Sequence, residues 1–484
     1  MSPRRASRGT PGGRPSPPEL PIVLDRSDPV PLSVQLATAL RDAAVAGRLR
    51  DGDRLPATRA LAAHMGVSRT VVAAAYDQLH AEGWIEGRHG SGTFVTAAPV
   101  TPHPAPPPRP AAGPGAGTAS GITLLPGAPW VEGLDRAAWR RAWRAAADAP
   151  PLRYPQRDGL PAYRHAVAEH LLRHRGLALP EGRVTETVLA TGGTTAALTE
   201  IALAVLRPGD LVAVEEPGYP RAVGALRAAG MRVTTVPVDA GGLVVEAVPS
   251  RARLVYCTPA HQYPTGGRMP AARRIELVRR ARRFGWLVVE DDYDGELRLD
   301  VAPLPLLAAL GPDVVVHLGT TSKILTPTLG AGWLVGPPHV VSAVSAHRDV
   351  TGTGPSPAGQ RVLVELLRNG DLARHLRRLR RELTRRRALL VEALTTAGLQ
   401  VLGDEAGAHV LVPLPSARAE ERLVARAARR GLLLDRLARH HAERPVRHGI
   451  PLGYAGCGRA ELEAAVPVLV ELLREEVGTG GRAG

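Results

Sequence analysis

The sequence predicts an α/β protein: a small helical segment with a hairpin near the N-terminus, then a large domain around a mainly parallel sheet. Three observations predict it. Apolar strand-like runs alternate with helical patterns from about residue 122 to 477: TETVLATGG, a helix through Ala197 to Leu206, DLVAVEEPGY, then RLVYCTPAHQ, a basic amphipathic helix from Ala271 to Phe284, and WLVVEDDYD. A Pro- and Gly-rich stretch, TAAPVTPHPAPPPRPAAGPGAGTASG, interrupts the chain before this alternation begins. Ahead of it lies helix, short turn, helix, then two short strands around glycines.

With 484 residues the chain suits two or three domains, and 44% apolar content supports a large core. The expected division is a basic tail over 1–21 that stays disordered, a first domain over 22–96, a linker over 97–121, a second domain over 122–477 and a flexible tail over 478–484. The net charge of +15 fits an acidic partner, although arginine is abundant throughout, as a GC-biased genome would produce. The only cysteines, Cys257 and Cys457, sit in no metal-ligand spacing, so neither a disulfide framework nor a metal is expected. The N-terminus has no apolar signal-peptide core, and no uncharged apolar run reaches membrane-spanning length. A cytoplasmic location is expected.

In the first domain, Leu32 to Gly47 has apolar residues at helical spacing, and Asp51-Gly52 makes a turn. A second helix runs from Thr58 to Met65 with Thr58 as its expected N-cap, and Gly66 ends it. Ser68 caps a third helix, whose first turn presents Arg69 and Thr70 where recognition helices touch bases. WIEGRHGSGTFV then reads as a wing, with Gly90 and Gly92 allowing close backbone approach to phosphate.

Of the 61 Lys and Arg in the chain one is lysine, Lys323, and it lies in the second domain. Arginine replaces lysine wherever charge suffices, but a guanidinium cannot form an imine with an aldehyde. A desolvated lysine can lose its proton and attack a carbonyl. Lys323 lies in HLGTTSKILTPTLGAGW, after the strand VVVHL, among hydroxyls that include Thr320 and Ser322. Strand alternation in WLVVEDDYD puts Asp291 and Tyr293 on one face and Glu290 and Asp292 on the other. In TGGTTAAL, the N–H groups and hydroxyls of Gly193, Thr194 and Thr195 open a helix and suit a phosphate. EEPGYPR sets Tyr219 past a strand end to stack on a ring, and Arg221 to reach a carboxylate. TPAHQYPTGG gives another strand-end loop with His261.

The run LPATRALAAHMGVSRTVVAAAYDQLHAEGWIEGRHGSGTFV resembles the GntR-type winged helix-turn-helix. The later motifs resemble the fold-type I aminotransferases and, in their order, the MocR subfamily of GntR regulators, which fuses both parts. The resemblance runs from about Val30 to Leu469, apart from the linker. It implies a fold-type I domain with a small C-terminal α/β subdomain, a homodimer and double-stranded DNA as partner. It implies DNA contact by Arg59, Ser68, Arg69 and Thr70, and on the wing by Arg88, Gly90, Ser91, Gly92 and Thr93. It implies pyridoxal 5'-phosphate (PLP) as cofactor, in imine linkage to Lys323. Asp291 then pairs with the ring nitrogen, Tyr293 with the 3-hydroxyl, and Tyr219 stacks on the ring. Gly193, Thr194, Thr195, Thr320, Ser322 and His261 complete the cofactor site, and Arg221 takes an amine or amino acid effector. The implied function is a transcription regulator sensing PLP or a PLP–amine adduct; the alternative is a working aminotransferase fused to a DNA-binding domain. Two departures stand out. Gly330 occupies the place of the family's phosphate-binding arginine, and Tyr154-Pro-Gln-Arg-Asp-Gly159 replaces its Y-x-D-P-x-G.

Overall fold

Helix-forming and strand-forming patterns resolve into fifteen α-helices and fifteen strands among the described residues of the computed structural model. Those residues are 22–88, 91–96, 121–179, 182–299 and 305–480, with 478–480 described by backbone alone. The expected tail over 1–21 and nearly all of the expected linker lie outside them. The chain divides into two compact units, Met1–Gly115 and Ala116–Gly484.

In the first unit, α1 (Leu32–Val45), α2 (Thr58–Met65) and α3 (Arg69–Ala81) pack around Leu36, Leu40, Leu61, Val72, Ala75 and Leu79. The spacing of these residues gives each helix one apolar face. The Ser68 hydroxyl accepts from Val71 N at 3.4 Å, so the expected cap of α3 is present. Thr58 does not cap α2: it is already the first helical residue, Ala57 precedes it, and no side-chain cap bond forms. Gly66 ends α2 at φ 63°, a left-handed conformation that suits glycine. Three short strands, β1 (Arg54–Leu55), β2 (Ile85–Arg88) and β3 (Gly92–Val95), form an antiparallel sheet in the order β1-β3-β2. The β2–β3 hairpin is the wing.

In the second unit, eight strands form one sheet: β5 (Val188–Thr191), β6 (Leu211–Glu216), β7 (Arg232–Asp239), β8 (Gly242–Leu243), β9 (Leu254–Cys257), β10 (Leu287–Asp291), β11 (Val315–Thr320) and β12 (Gly332–Val335). Their order is β5-β12-β11-β10-β9-β6-β7-β8. Pairing is parallel from β11 through β7, while β12 and β8 are antiparallel to their neighbours. The central strands are buried on both faces, so they read as continuous apolar runs rather than alternating ones. Val288 and Val255 point into one core, and Val289 and Leu254 into the other.

Helices cover the sheet and extend it: α4 (Arg136–Asp148), α5 (Pro161–Arg175), α6 (Val184–Thr187), α7 (Thr194–Val205), α8 (Pro220–Ala228), α9 (Ala271–Phe284), α10 (Leu307–Leu310), α11 (Pro338–Thr351) and α12 (Pro357–Arg368). Four of them begin with proline at the first position, where the missing N–H costs no bond. The long α13 (Asp371–Thr396) leads to a smaller part with α14 (Ala417–Arg429), α15 (Arg459–Gly480) and the antiparallel pair β13 (His409–Pro413) and β15 (Gly449–Gly453). A short parallel pair, β4 (Ile122–Thr123) with β14 (Leu432–Leu433), brings the start of this unit to its end. The basic helix expected over Ala271 to Phe284 spans those residues as α9. The helix expected from Ala197 begins three residues earlier, at Thr194, and the last helix runs to Gly480, past the expected domain end. No described helix is long and apolar enough to cross a membrane.

Candidate functional site

The strand order brings the C-terminal ends of β5, β11, β10, β9 and β6 to one edge, where open α/β sheets hold ligands. Each end supplies residues singled out above. Lys323 follows β11. Its Nζ lies 2.6 Å from the carbonyl oxygen of Gly127. A Cβ on Gly127 would come within 2.9 Å of that nitrogen, so the amine would have to shift, and φ 84° itself favours glycine there. Burial lowers the Lys323 pKa and nearby Arg221 adds to this, while Asp294 and Asp291 oppose it.

Asp291 ends β10 and is buried. Its Oδ2 accepts from the Tyr256 hydroxyl at 2.5 Å, and its Oδ1 has no partner among the described residues. Burial pushes its pKa up to about 6, against the opposing pull of the Tyr256 and Thr194 hydroxyls. Glu290 faces the other way and accepts from Leu307 N at 2.7 Å and Ala308 N at 3.1 Å. Asp292 pairs with buried Arg175 on that same far side. The Tyr293 hydroxyl donates to His261 O at 3.0 Å and lies 3.2 Å from His261 Nδ1.

After β5, Gly193 adopts φ 127° and precedes the first turn of α7, with its N–H 3.3 Å from Thr191 Oγ1. Thr195 Oγ1 lies 3.5 Å from the Tyr219 hydroxyl. Thr320 Oγ1 donates to Ser322 Oγ at 2.9 Å and accepts from Ser322 N at 3.1 Å. Tyr219 follows β6, and its ring meets Tyr263 edge-on at 5.8 Å. Arg221 is exposed at the start of α8. Gly330 closes a 3₁₀ turn at φ 60°, with nothing among the described residues within 4 Å of a Cβ built there. The position is open, but its backbone disfavours the arginine that resemblance would put there.

Several neighbours went unrecognised in the sequence. Tyr256 lies inside β9, where its hydroxyl is hidden in an apolar run. Tyr263 packs edge-on against Tyr219, Tyr293, His409 and His440. Asp294 Oδ2 lies 2.8 Å from His261 Nδ1. His409 comes from β13, far along the chain, and burial holds its pKa well below the ordinary histidine value. His261, Asp294 and His409 bring ligand-type atoms within 4.8 Å of one another. Tyr256, Tyr263 and Asp294 stood in quoted stretches without being singled out; His409 carried no local signal.

In the first unit, Arg59, Ser68, Arg69 and Thr70 are all exposed around the start of α2 and α3. Thr70 Oγ1 lies 2.7 Å from Ser68 Oγ. Tyr76 donates to Pro56 O at 2.9 Å and so anchors α3 to the approach of α2. On the wing, Arg88 pairs with Glu86 at 2.6 Å and stacks over Phe94. Ser91 and Gly92 are exposed and Thr93 is half-buried. Gly92 has φ 116°, and a Cβ there would lie 2.9 Å from Arg54 Nε. Gly90 lies outside the described residues.

Comparison with known proteins places both units. Residues 32–95 match bacterial regulatory proteins of the gntR family, and residues 132–467 match aminotransferase class I and II. The HTH-type pyridoxine biosynthesis transcriptional regulator PdxR of Corynebacterium glutamicum is 34% identical over 90% of this chain and 94% of its own. The probable rhizopine catabolism regulatory protein MocR of Rhizobium meliloti is 32% identical over 90% and 92%. A crystal structure of Pyrococcus horikoshii kynurenine aminotransferase superposes with a TM-score of 0.68, at 26% identity over 74% of this chain and 92% of that one. A gntR-type winged helix followed by a class I and II aminotransferase domain, shared with such regulators along nearly the whole chain, makes this protein a member of the MocR-type family of helix-turn-helix transcriptional regulators.

Proposed function

We propose that the protein holds pyridoxal 5'-phosphate at Lys323 and uses it, alone or with a small amine or amino acid, to set DNA binding by its winged helix. The observation that carries the reading is the pairing of a buried amine with a lowered pKa and a buried carboxylate whose Oδ1 has no partner among the described residues. These residues fit the cofactor. An orphaned buried acceptor costs stability unless a donor arrives, and a protonated ring nitrogen is such a donor. When bound, the cofactor supplies an electrophilic carbon and an electron sink.

The chain's own residues do the rest. Lys323, whose amine burial makes easier to deprotonate, is the amine able to condense with an aldehyde. Asp291 Oδ1 accepts the ring-nitrogen proton, and the Tyr293 hydroxyl meets the 3-hydroxyl. Tyr219 offers a ring face. Gly193, Thr194, Thr195, Thr320 and Ser322 bind phosphate through N–H groups, hydroxyls and the N-terminus of α7. His261 orients Tyr293, and Arg221 takes an effector carboxylate. Arg59, Arg69, Thr70 and the wing contact the DNA duplex, and two copies form a homodimer in the cytoplasm. Occupancy shifts the populations of DNA-binding and non-binding arrangements. The Corynebacterium relative is named for pyridoxine biosynthesis, which favours the cofactor itself as the signal.

The test is a titration of DNA containing a mapped operator, with and without the cofactor, loading being followed by visible absorbance. Affinity should change on loading; equal affinity at full loading overturns the reading. A second reading, a working aminotransferase, draws on the similarity to enzymes such as the Pyrococcus aminotransferase. Turnover of an amino acid with a 2-oxo acid would favour it.

A further inference from the structure

We propose that the aminotransferase unit carries a second DNA-binding surface, a stripe of arginines on α13 that lies along phosphates. The proposal rests on the DNA-binding reading above.

Some rows of exposed arginine on this unit are compensated. Arg422, Arg426 and Arg430 recur every fourth residue along and just past α14, and glutamates of α15 meet each of them. Arg422 reaches Glu476 at 2.7 Å, Arg426 reaches Glu476 at 3.3 Å and Arg430 reaches Glu471 at 3.2 Å. On α9, Arg279 and Arg280 share Glu276, and Arg282 pairs with Asp313. An arginine-rich composition therefore does not by itself leave such a row without counter-charge.

The α13 row is different. Arg377, Arg381 and Arg385 are exposed at four-residue intervals, and none has a carboxylate or hydrogen-bond partner among the described residues. At the start of α13, Asp371 is already taken by Arg374 at 2.5 Å and by Arg141 of α4 at 2.8 Å. That shared aspartate joins α13 to α4, whose exposed Arg136, Arg140 and Arg144 repeat the same interval without partners among the described residues. Trp143, 39% exposed, lies among them.

Like charges four apart on a helix destabilise it by tenths of a kcal/mol per pair, so both rows gain from an external polyanion. Arginines four apart advance about 6 Å along the helix axis. Phosphates on one DNA strand advance about 3.4 Å along the duplex axis, so a straight row of this spacing meets roughly every second phosphate. The guanidinium fork suits phosphate oxygens in pairs. A linear, arginine-only row on a chain that also carries a helix-turn-helix favours the DNA backbone over an acidic protein.

The experiment uses the full-length protein and a random-sequence duplex of about 40 base pairs, with affinity measured by anisotropy from about 50 to 200 mM salt. The variant is Arg377→Gln, Arg381→Gln and Arg385→Gln combined. Glutamine keeps helix propensity at exposed positions, and an unchanged thermal melt verifies the fold. The slope of log affinity against log salt should become shallower by about 0.9 for each phosphate no longer neutralised, or about 3 for the triple variant. A winged-helix variant, Arg69→Ala, should keep most of that slope and lose operator discrimination. A wild-type slope in the triple variant overturns the stripe alone, including the case in which an acidic protein occupies it. Failure of the wild type to bind any duplex overturns both the stripe and the DNA-binding reading.

Discussion

Replacing Asp291 with asparagine should stabilise the protein without cofactor and weaken the cofactor's binding. The carboxylate is buried, holds one hydrogen bond from Tyr256 and leaves Oδ1 unpartnered, and burial raises its pKa from 3.8 to about 6. A raised carboxylate pKa means that folding disfavours the ionised form. The stability present below pH 3.8 is therefore lost as pH rises through about 6. From these two values the penalty is about 1.6 kcal/mol at pH 5 and about 3 kcal/mol at pH 8. Asparagine removes the charge and keeps an acceptor for Tyr256. Urea unfolding of cofactor-free protein should thus show a gap between variant and wild type that widens by about 1.4 kcal/mol from pH 5 to pH 8. Any fixed cost of the weaker Tyr256 bond cancels in that difference. With cofactor the sign reverses. The variant loses a hydrogen bond involving a charged partner, worth about 1.5–3 kcal/mol, or roughly tenfold to hundredfold in affinity. A purely structural aspartate would move stability alone. A gap that does not vary with pH, or unchanged cofactor affinity, refutes the reasoning.

Lys323→Arg keeps a cation but no condensing amine, so it should abolish visible absorbance with the cofactor and borohydride trapping on the peptide that contains position 323. Arg69→Ala should cost about 1–3 kcal/mol of operator binding if the side chain reads a base, checked by competition against mismatched operators. Gly330→Arg should destabilise by about 1–2 kcal/mol in a thermal melt, because the position sits at φ 60°. The same substitution should tighten cofactor binding roughly tenfold to hundredfold through a charged phosphate contact, and equal affinity would show that another group already fills that role.

The parts of the fold that were legible in the sequence are those where local pattern and tertiary environment agree. Ala271 to Phe284 has a strong 3.6-residue period and a glycine at its end, and it folds as read. The strand runs ending in Glu216, Cys257, Asp291 and Thr320 are short, apolar and followed by polar loops, which is the form of a buried parallel strand. Thr58 misled because a threonine after proline looks like a cap, whereas the helix already includes it and uses no side-chain cap. In the site, alternation along β10 alone separated Asp291 and Tyr293 from Glu290 and Asp292. What alternation cannot reveal is which residues of other strands share the chosen face. Tyr256 reaches Asp291 only because β9 pairs beside β10 in register, Val289 opposite Tyr256. His409 reaches Tyr263 and His261 only because β13, more than a hundred residues further on, folds back onto the strand ends. Gly127 faces Lys323 across 196 residues. Such partners are set by sheet order and domain closure, which no window of sequence contains. The lone lysine escaped this limit because its signal was compositional: in a chain that writes arginine at sixty other cationic positions, the exception identified itself without any knowledge of its neighbours.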